Sequence, residues 1–233
     1  MGKKNKKRGD GGGLPGWFAT FSDMMTLLFA FFVLLFSLST LDPVKLAEFS
    51  EGDKKGESKD LGEIKQEFEK MIEDLNIDDK ATVSQDPRGI ALEIDGDICF
   101  ESGSERLNEE LKQILNRAVK DVLMEEGDLR PIIIEGHTDS DLLPNDHPMK
   151  NRYPTNWELS TARASEVVKY LIQNGVNFTR LSPSGYADTW PVGVTWGQRR
   201  NGDVDRKLID SMNGTRDLKR KNRRIKIIIG PNY

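Results

Sequence analysis

Two sets of residues have types and spacings that could do chemistry. The first is a single acid in an apolar setting. From Met24 to Leu41 the chain reads MMTLLFAFFVLLFSLSTL without a charge, and extending back to Trp17 adds Asp23 alone. A carboxylate inside a membrane span costs roughly 2.5–3.5 kcal/mol on insertion scales, so by default it marks an ion or proton site. Counting from Asp23 at helical spacing gives Thr26, Ala30, Val33 and Ser37, a stripe of small or polar residues among Leu, Phe and Met. Such a stripe suits close approach of partner helices, leaving bulky residues for lipid or other grooves. One span cannot form a pore, so a polytopic partner is implied. The alternative is an acid near the interface, snorkelling or capping the helix start, since Asp23 lies only about 9 Å along the axis from Trp17.

The second set pairs Ile134-Glu135-Gly136-His137-Thr138-Asp139, at the end of an expected strand, with Asn156-Trp157-Glu158-Leu159-Ser160-Thr161-Ala162-Arg163-Ala164, at the start of an expected helix. Asn156 and Ser160 are capping-type residues. A carboxylate at the strand end and a guanidinium on the helix could clamp a zwitterion, Asp139 taking its ammonium and Arg163 its carboxylate. The same pair reads equally well as a structural ion pair. His137 and His147 are the two histidines, and no Cys/His cluster has metal-ligand spacing. No nucleophile motif of the G-x-S-x-G kind occurs. The reading is therefore of a non-enzyme with no metal and no cofactor. Cys99 stands alone, which excludes an internal disulfide. The basic run Lys219–Arg224 leads into a buried strand, which favours a sheet-edge or ligand role over nucleic-acid binding.

These residues must be positioned by a chain of 233 residues with net charge -4, 36% hydrophobic and 31% charged. About 22 residues from Trp17 to Leu38 span roughly 33 Å as a helix, matching a hydrocarbon core of about 30 Å. Lys3, Lys4, Lys6, Lys7 and Arg8 precede the span, and the mixed-charge stretch with Asp42, Glu48, Glu51 and Asp53 follows it. The positive-inside rule then places the N-terminus in the cytoplasm and the bulk of the chain outside. A cleaved signal peptide shares the basic start, but its apolar region is shorter and ends in a small-residue cleavage site. The expected layout is a basic tail over 1–13, a transmembrane helix over 14–41, a linker and helix over 42–75 and a globular domain over 76–233. Within it, Leu61, Ile64, Phe68, Met71, Ile72 and Leu75 repeat at helical period. Ala81–Val83 and Ile90–Ile94 flank the turn Asp86-Pro87-Arg88-Gly89 as a hairpin. A helix is expected over 107–124, a strand over 131–135, a helix over 156–174, a short strand or loop over 181–187 and a strand over 223–229. The Gly-, Asp- and Arg-rich stretch 191–217 reads as a long irregular insertion. The class is α+β, a mixed α/β sandwich with helices on one face of a sheet.

Together these parts resemble the MotB family of flagellar stator subunits, whose exported part is an OmpA-like domain. Trp17, Asp23, Thr26 and Leu27 look like the family's Trp-x4-Asp-x2-Thr-Leu pattern, shifted by one in the spacer. DICFESGSERL (97–107), GHTD (136–139), NWELSTARA (156–164), GYADTWPV (185–192) and KNRRIKI (221–227) look like the OmpA-like motifs. The resemblance implies that Asp23 binds the ion, with Ser22, Thr26 and Ala30 on the ion-pathway face. It assigns diaminopimelate contacts in peptidoglycan to Asp139 and Arg163, with Thr138, Asn156 and Arg224 as further candidates. Val44, Leu46 and Phe49 would match the family's plug, or form an ordinary juxtamembrane helix. The implied assembly is a homodimer inside a pentameric MotA-like ring, driven by H+ or Na+, in the cytoplasmic membrane. Departures are the long segment between Asp139 and Asn156, the 191–217 insertion and a short linker. Relatives with the same two parts serve other ion-driven machines, including gliding motors and Zorya anti-phage defence. The competing class is a membrane-tethered wall anchor without ion transport.

Overall fold

The computed structural model describes residues 15–39, 60–101, 103–124 and 127–231. They divide between two compact units, Met1–Asp42 and Pro43–Tyr233. The first holds helix α1, Gly16–Ser39. Its 24 residues reach about 36 Å, enough to cross a bilayer. Every side chain from Phe18 to Leu34 is exposed within the chain, bulky Met24, Leu27 and Phe29 included.

The second unit starts with α2, Leu61–Leu75, which Asp60 caps: the Gly62 N–H donates to its carboxylate at 2.8 Å, and Glu63 reaches back to the Asp60 N–H. Its apolar stripe, Leu61, Ile64, Phe68 and Met71, is fully buried in the same core as the sheet. The folded body thus includes 61–75. Strands β1 (Ala81–Asp86) and β2 (Gly89–Asp95) form the expected hairpin. Gly89 has φ +147°, and a Cβ there would sit 1.9 Å from the Ile229 carbonyl oxygen, so only glycine fits. A short helix α3 (Gly96–Cys99) follows at once, then α4 (Glu109–Ala118), whose last turn loosens into a π-helical segment, Val119–Leu123. The helix expected over 107–124 therefore starts later and ends in a different winding. Strand β3 (Ile132–His137), helix α5 (Asn156–Gln173) and strand β4 (Leu181–Gly185) make a parallel crossover, and β5 (Arg224–Ile229) closes the sheet.

The sheet order is β1-β2-β5-β3-β4. Strand alternation gives it two unlike faces. Ile90, Leu92, Ile94, Ile132, Ile134, Ile225, Ile227 and Ile229 point into the core with α2, α4 and α5. On the other face Lys226 stands between Glu93 on β2 and Glu135 on β3. Its ammonium lies 2.8 Å from Asp86, while Arg88 reaches Glu135 at 2.6 Å.

That charged face explains the stretch 191–217, which is not irregular. It folds into α6 (Trp196–Asn201), α7 (Arg206–Ser211) and α8 (Arg216–Asn222), started by the caps Thr195, Asp205 and Thr215. Trp190 and Trp196 stack edge to face at 4.6 Å, with Arg88 4.7 Å over the Trp196 ring and Arg199 4.4 Å over Trp190. The insertion is thereby fixed to the charged side of the sheet through cation–π contacts.

Candidate ligand cleft and membrane carboxylate

The cleft lies where β3 ends and α5 begins. Two glycines let α5 lie flush on the sheet. A Cβ on Gly136 would meet the Ser160 carbonyl oxygen at 2.1 Å, and one on Gly185 would meet Thr161 Oγ1 at 2.2 Å. The N-terminus of α5 is capped by Thr155 with Glu158, not by Asn156 or Ser160. Asn156 is instead the first helical residue, and its buried amide donates to the Asp139 carbonyl oxygen at 2.9 Å. Ser160 Oγ accepts the Ala187 N–H at 3.1 Å. Helix, strand end and the turn after β4 are thus tied together around Asp139.

The resulting cleft of ≈ 390 Å³ is lined by Asp97, Phe100, Thr138, Asp139, Asn156, Leu159, Arg163 and Arg223, with Leu142 and Leu143 at its edge. Arg163 is buried, donates from Nε to the Ser104 carbonyl oxygen at 2.9 Å, and lies 4.8 Å over the Phe100 ring. Burial lowers its pKa to about 10, which leaves it charged at neutral pH. Among the described residues no carboxylate lies within ion-pair distance of it. A buried guanidinium in that state calls for an anion. Asp139 does not pair with it. Its Oδ2 accepts from Arg223 Nη1 at 2.7 Å and its Oδ1 from the Asp141 N–H at 3.0 Å. Thr138 Oγ1 is buried with no hydrogen-bond partner among the described residues.

The structure brings Thr138, Asp139, Asn156 and Arg163 together and sets Arg224 apart. Arg224 alternates to the charged sheet face, where Nε meets Glu93 at 3.1 Å and Nη2 meets the Trp190 carbonyl oxygen at 3.2 Å. Its neighbour Arg223 lines the cleft instead. Sequence reasoning missed Arg223, Asp97 and Phe100; the only signal available was their place in the KNRRIKI and DICFESG motifs. His137 is buried beneath Tyr186, stacked at 5.3 Å, and lies 3.5 Å from Glu135. Burial, with the Arg224 charge beside it, depresses its pKa to about 4.

On α1, Asp23 is exposed within the chain. The Thr26 hydroxyl donates back to the Ser22 carbonyl oxygen at 2.5 Å and lies 3.1 Å from that of Asp23. It is satisfied by its own helix, leaving the Asp23 carboxylate as the ionisable group on that stripe. Val44, Leu46 and Phe49 lie outside the described residues.

An apolar helix of spanning length, followed by a domain of this sheet order and cleft, defines a membrane-tethered OmpA-like protein. The OmpA family model matches residues 99–201, and the model described as membrane MotB of the proton-channel complex MotA/MotB matches residues 2–52. The chain is 27% identical to the uncharacterized protein YtxE of Bacillus subtilis, over 91% of this chain and 87% of that one. It is 25% identical to motility protein B of the same organism, over 98% and 95% respectively. The periplasmic domain of Helicobacter pylori MotB superposes with TM-score 0.51 at 25% identity, covering 66% of this chain and 80% of that one. The chain is thus similar to MotB-type proteins in both its apolar N-terminal helix and its OmpA-like domain.

Proposed function

We propose that this chain is the wall-anchored stator subunit of an ion-driven rotary motor. Asp23 passes H+ or Na+ along α1 in company with a polytopic MotA-like subunit. The domain beyond the membrane grips peptidoglycan through Asp139 and Arg163. The observation that carries the reading is Asp23 itself, a carboxylate in an apolar helix that is left exposed by the described residues. A plain tether has no use for such an acid, whereas an ion path between helices does. Ser22, Thr26 and Ala30 then face the partner, and a dimer of this chain stands inside a ring of five MotA-like subunits. The basic N-terminus stays in the cytoplasm. Residues 42–60 link the span to the domain, whose core takes in α2.

At the wall, Arg163 takes a stem-peptide carboxylate and Asp139 the ammonium of diaminopimelate, with Thr138 close by and Asn156 holding the Asp139 backbone. No step makes or breaks a covalent bond, so the protein is not an enzyme. Flagellar rotation is the first readout, and the same chemistry serves other ion-driven machines. Asp23→Asn is expected to abolish motor output while leaving expression and co-purification of the partner intact. Near-normal output from Asp23→Asn cells would sink the transport reading and leave a wall anchor. Asp23→Glu is expected to keep a little activity, because the carboxylate survives one methylene away.

A further inference from the structure

The two guanidiniums of the cleft are in opposite states. Arg163 is buried with no acid at ion-pair distance among the described residues. Arg223, a third exposed, spans two acids: Nη1 donates to Asp139 Oδ2 at 2.7 Å, while Nε and Nη2 both donate to Asp97 Oδ1, at 3.1 and 2.9 Å. A zwitterionic ligand meets these two ends differently. Its carboxylate finds Arg163 without a competitor. Its ammonium, approaching Asp139, finds a positive charge already seated on Oδ2 at 2.7 Å, which takes up part of that carboxylate's acceptor capacity and repels the newcomer.

Arg223 has somewhere to go. Two of its three bonds are to Asp97, which is half exposed at the cleft rim. Breaking the single bond to Asp139 frees that carboxylate and leaves the guanidinium paired. We propose that Arg223 is an exchangeable internal occupant of the ammonium subsite: it closes Asp139 in the empty cleft and withdraws onto Asp97 when the ligand's ammonium arrives. Asp97 is then a positioning residue, without which the withdrawn guanidinium is stranded. The exchange selects for a peptide with a free amine beside a carboxylate, since a neutral amide cannot replace a guanidinium on a carboxylate. This inference rests on the peptidoglycan reading of the cleft.

The test uses the full chain in detergent and isothermal titration with a disaccharide-tetrapeptide muropeptide containing meso-diaminopimelate, alongside the same muropeptide with its free amine acetylated. Arg163→Ala comes first. Loss of at least about tenfold in affinity is expected from one charge-assisted contact, and binding equal to wild type would overturn the cleft reading itself. With that established, Arg223→Gln is expected to tighten the unmodified muropeptide by about two- to fivefold, the size of a partly exposed ion pair, and to leave the acetylated one weak. Asp97→Asn is expected to weaken the unmodified muropeptide by a similar factor, and to have no effect in the Arg223→Gln background. Unchanged or weaker binding by a folded Arg223→Gln protein overturns the exchange and makes Arg223 a bystander or a direct ligand contact. If Arg223→Gln does not fold, Asp97→Asn decides alone, because a bystander pair predicts no change in affinity.

Discussion

Asp139 and Arg163 line one cleft but have unlike surroundings. Asp139 is held by an amide, a guanidinium and the Asn156 side chain on its carbonyl, whereas Arg163 keeps its charge with a single backbone acceptor. A charge-assisted hydrogen bond contributes on the order of 1.5–3 kcal/mol, so Arg163→Ala and Asp139→Ala should each weaken wall binding by roughly ten- to a hundredfold. Both proteins should fail in a pull-down with purified cell wall. Arg163→Ala, which breaks no ion pair, should also keep its melting curve; if it unfolds, Arg163 is structural. His137 sets a pH dependence from just below the cleft. Burial and the Arg224 charge hold its pKa down from 6.5 to about 4. Above pH 6.5 it is neutral in both folded and unfolded chains. Between there and about 4, the unfolded chain binds a proton that the folded protein refuses, so stability falls as pH falls, by up to about 1.4 kcal/mol per unit. Glu135 adds a lower step. Burial works against its charge, but His137 and Arg88 hold it down from 4.5 to about 2, and its contribution is lost as pH drops through that range. Thermal melts of the 60–233 fragment at pH 7, 6 and 5 should show a falling midpoint, and His137→Gln should flatten that part of the profile. An unchanged slope in the variant would assign it to other groups.

Among the elements, α2 is the one whose role the structure defines most sharply. Its periodicity was plain in the sequence, but periodicity names a buried face without naming what buries it. The answer is the domain core, where Phe68 is fully buried with Met71 and Leu115. Phe68→Ala should therefore cost about 3–5 kcal/mol, and a fragment starting at residue 76 should be unfolded by circular dichroism where one starting at residue 60 is not. A folded 76–233 fragment would show that α2 is an accessory. The hairpin, β3, α5 and β5 were legible for the same reason that α2 was: apolar spacing and turn residues are local signals. The three helices of the insertion were not, because each is six or seven residues long and buries too little to leave a period. Their Thr and Asp caps were the signal that survived. The charged sheet face hid for a related reason: Glu93, Glu135 and Lys226 look like ordinary surface charges until the register sets them side by side and Arg88, lying over the Trp196 ring, pairs with Glu135. Arg223 and Arg224 are adjacent on the chain, and only the strand's alternation shows which of them faces the ligand cleft.

For the whole molecule, the two halves of the proposed function are separable by mutation. If residues 44–52 block the ion path before assembly, their deletion with the partner co-expressed should slow growth through leakage, and adding Asp23→Asn should restore it. Equal toxicity of the two variants in growth curves would show that the defect is not flow past Asp23. The domain contributes a different constraint. Strand β5 lies between β2 and β3, joining the hairpin β1-β2 to the pair β3-β4, although residues 224–229 come last among the five strands. Until they arrive the sheet exists only as two unjoined halves, and Arg223 is missing from the cleft beside them. In the proposed orientation the N-terminus stays in the cytoplasm and the domain crosses after α1, with β5 the last of its strands to follow, so most of the domain is threaded outward before the sheet can close. Such a chain is what a translocation channel admits. On the proposed reading, the cleft is complete and able to meet the wall only once β5 has crossed.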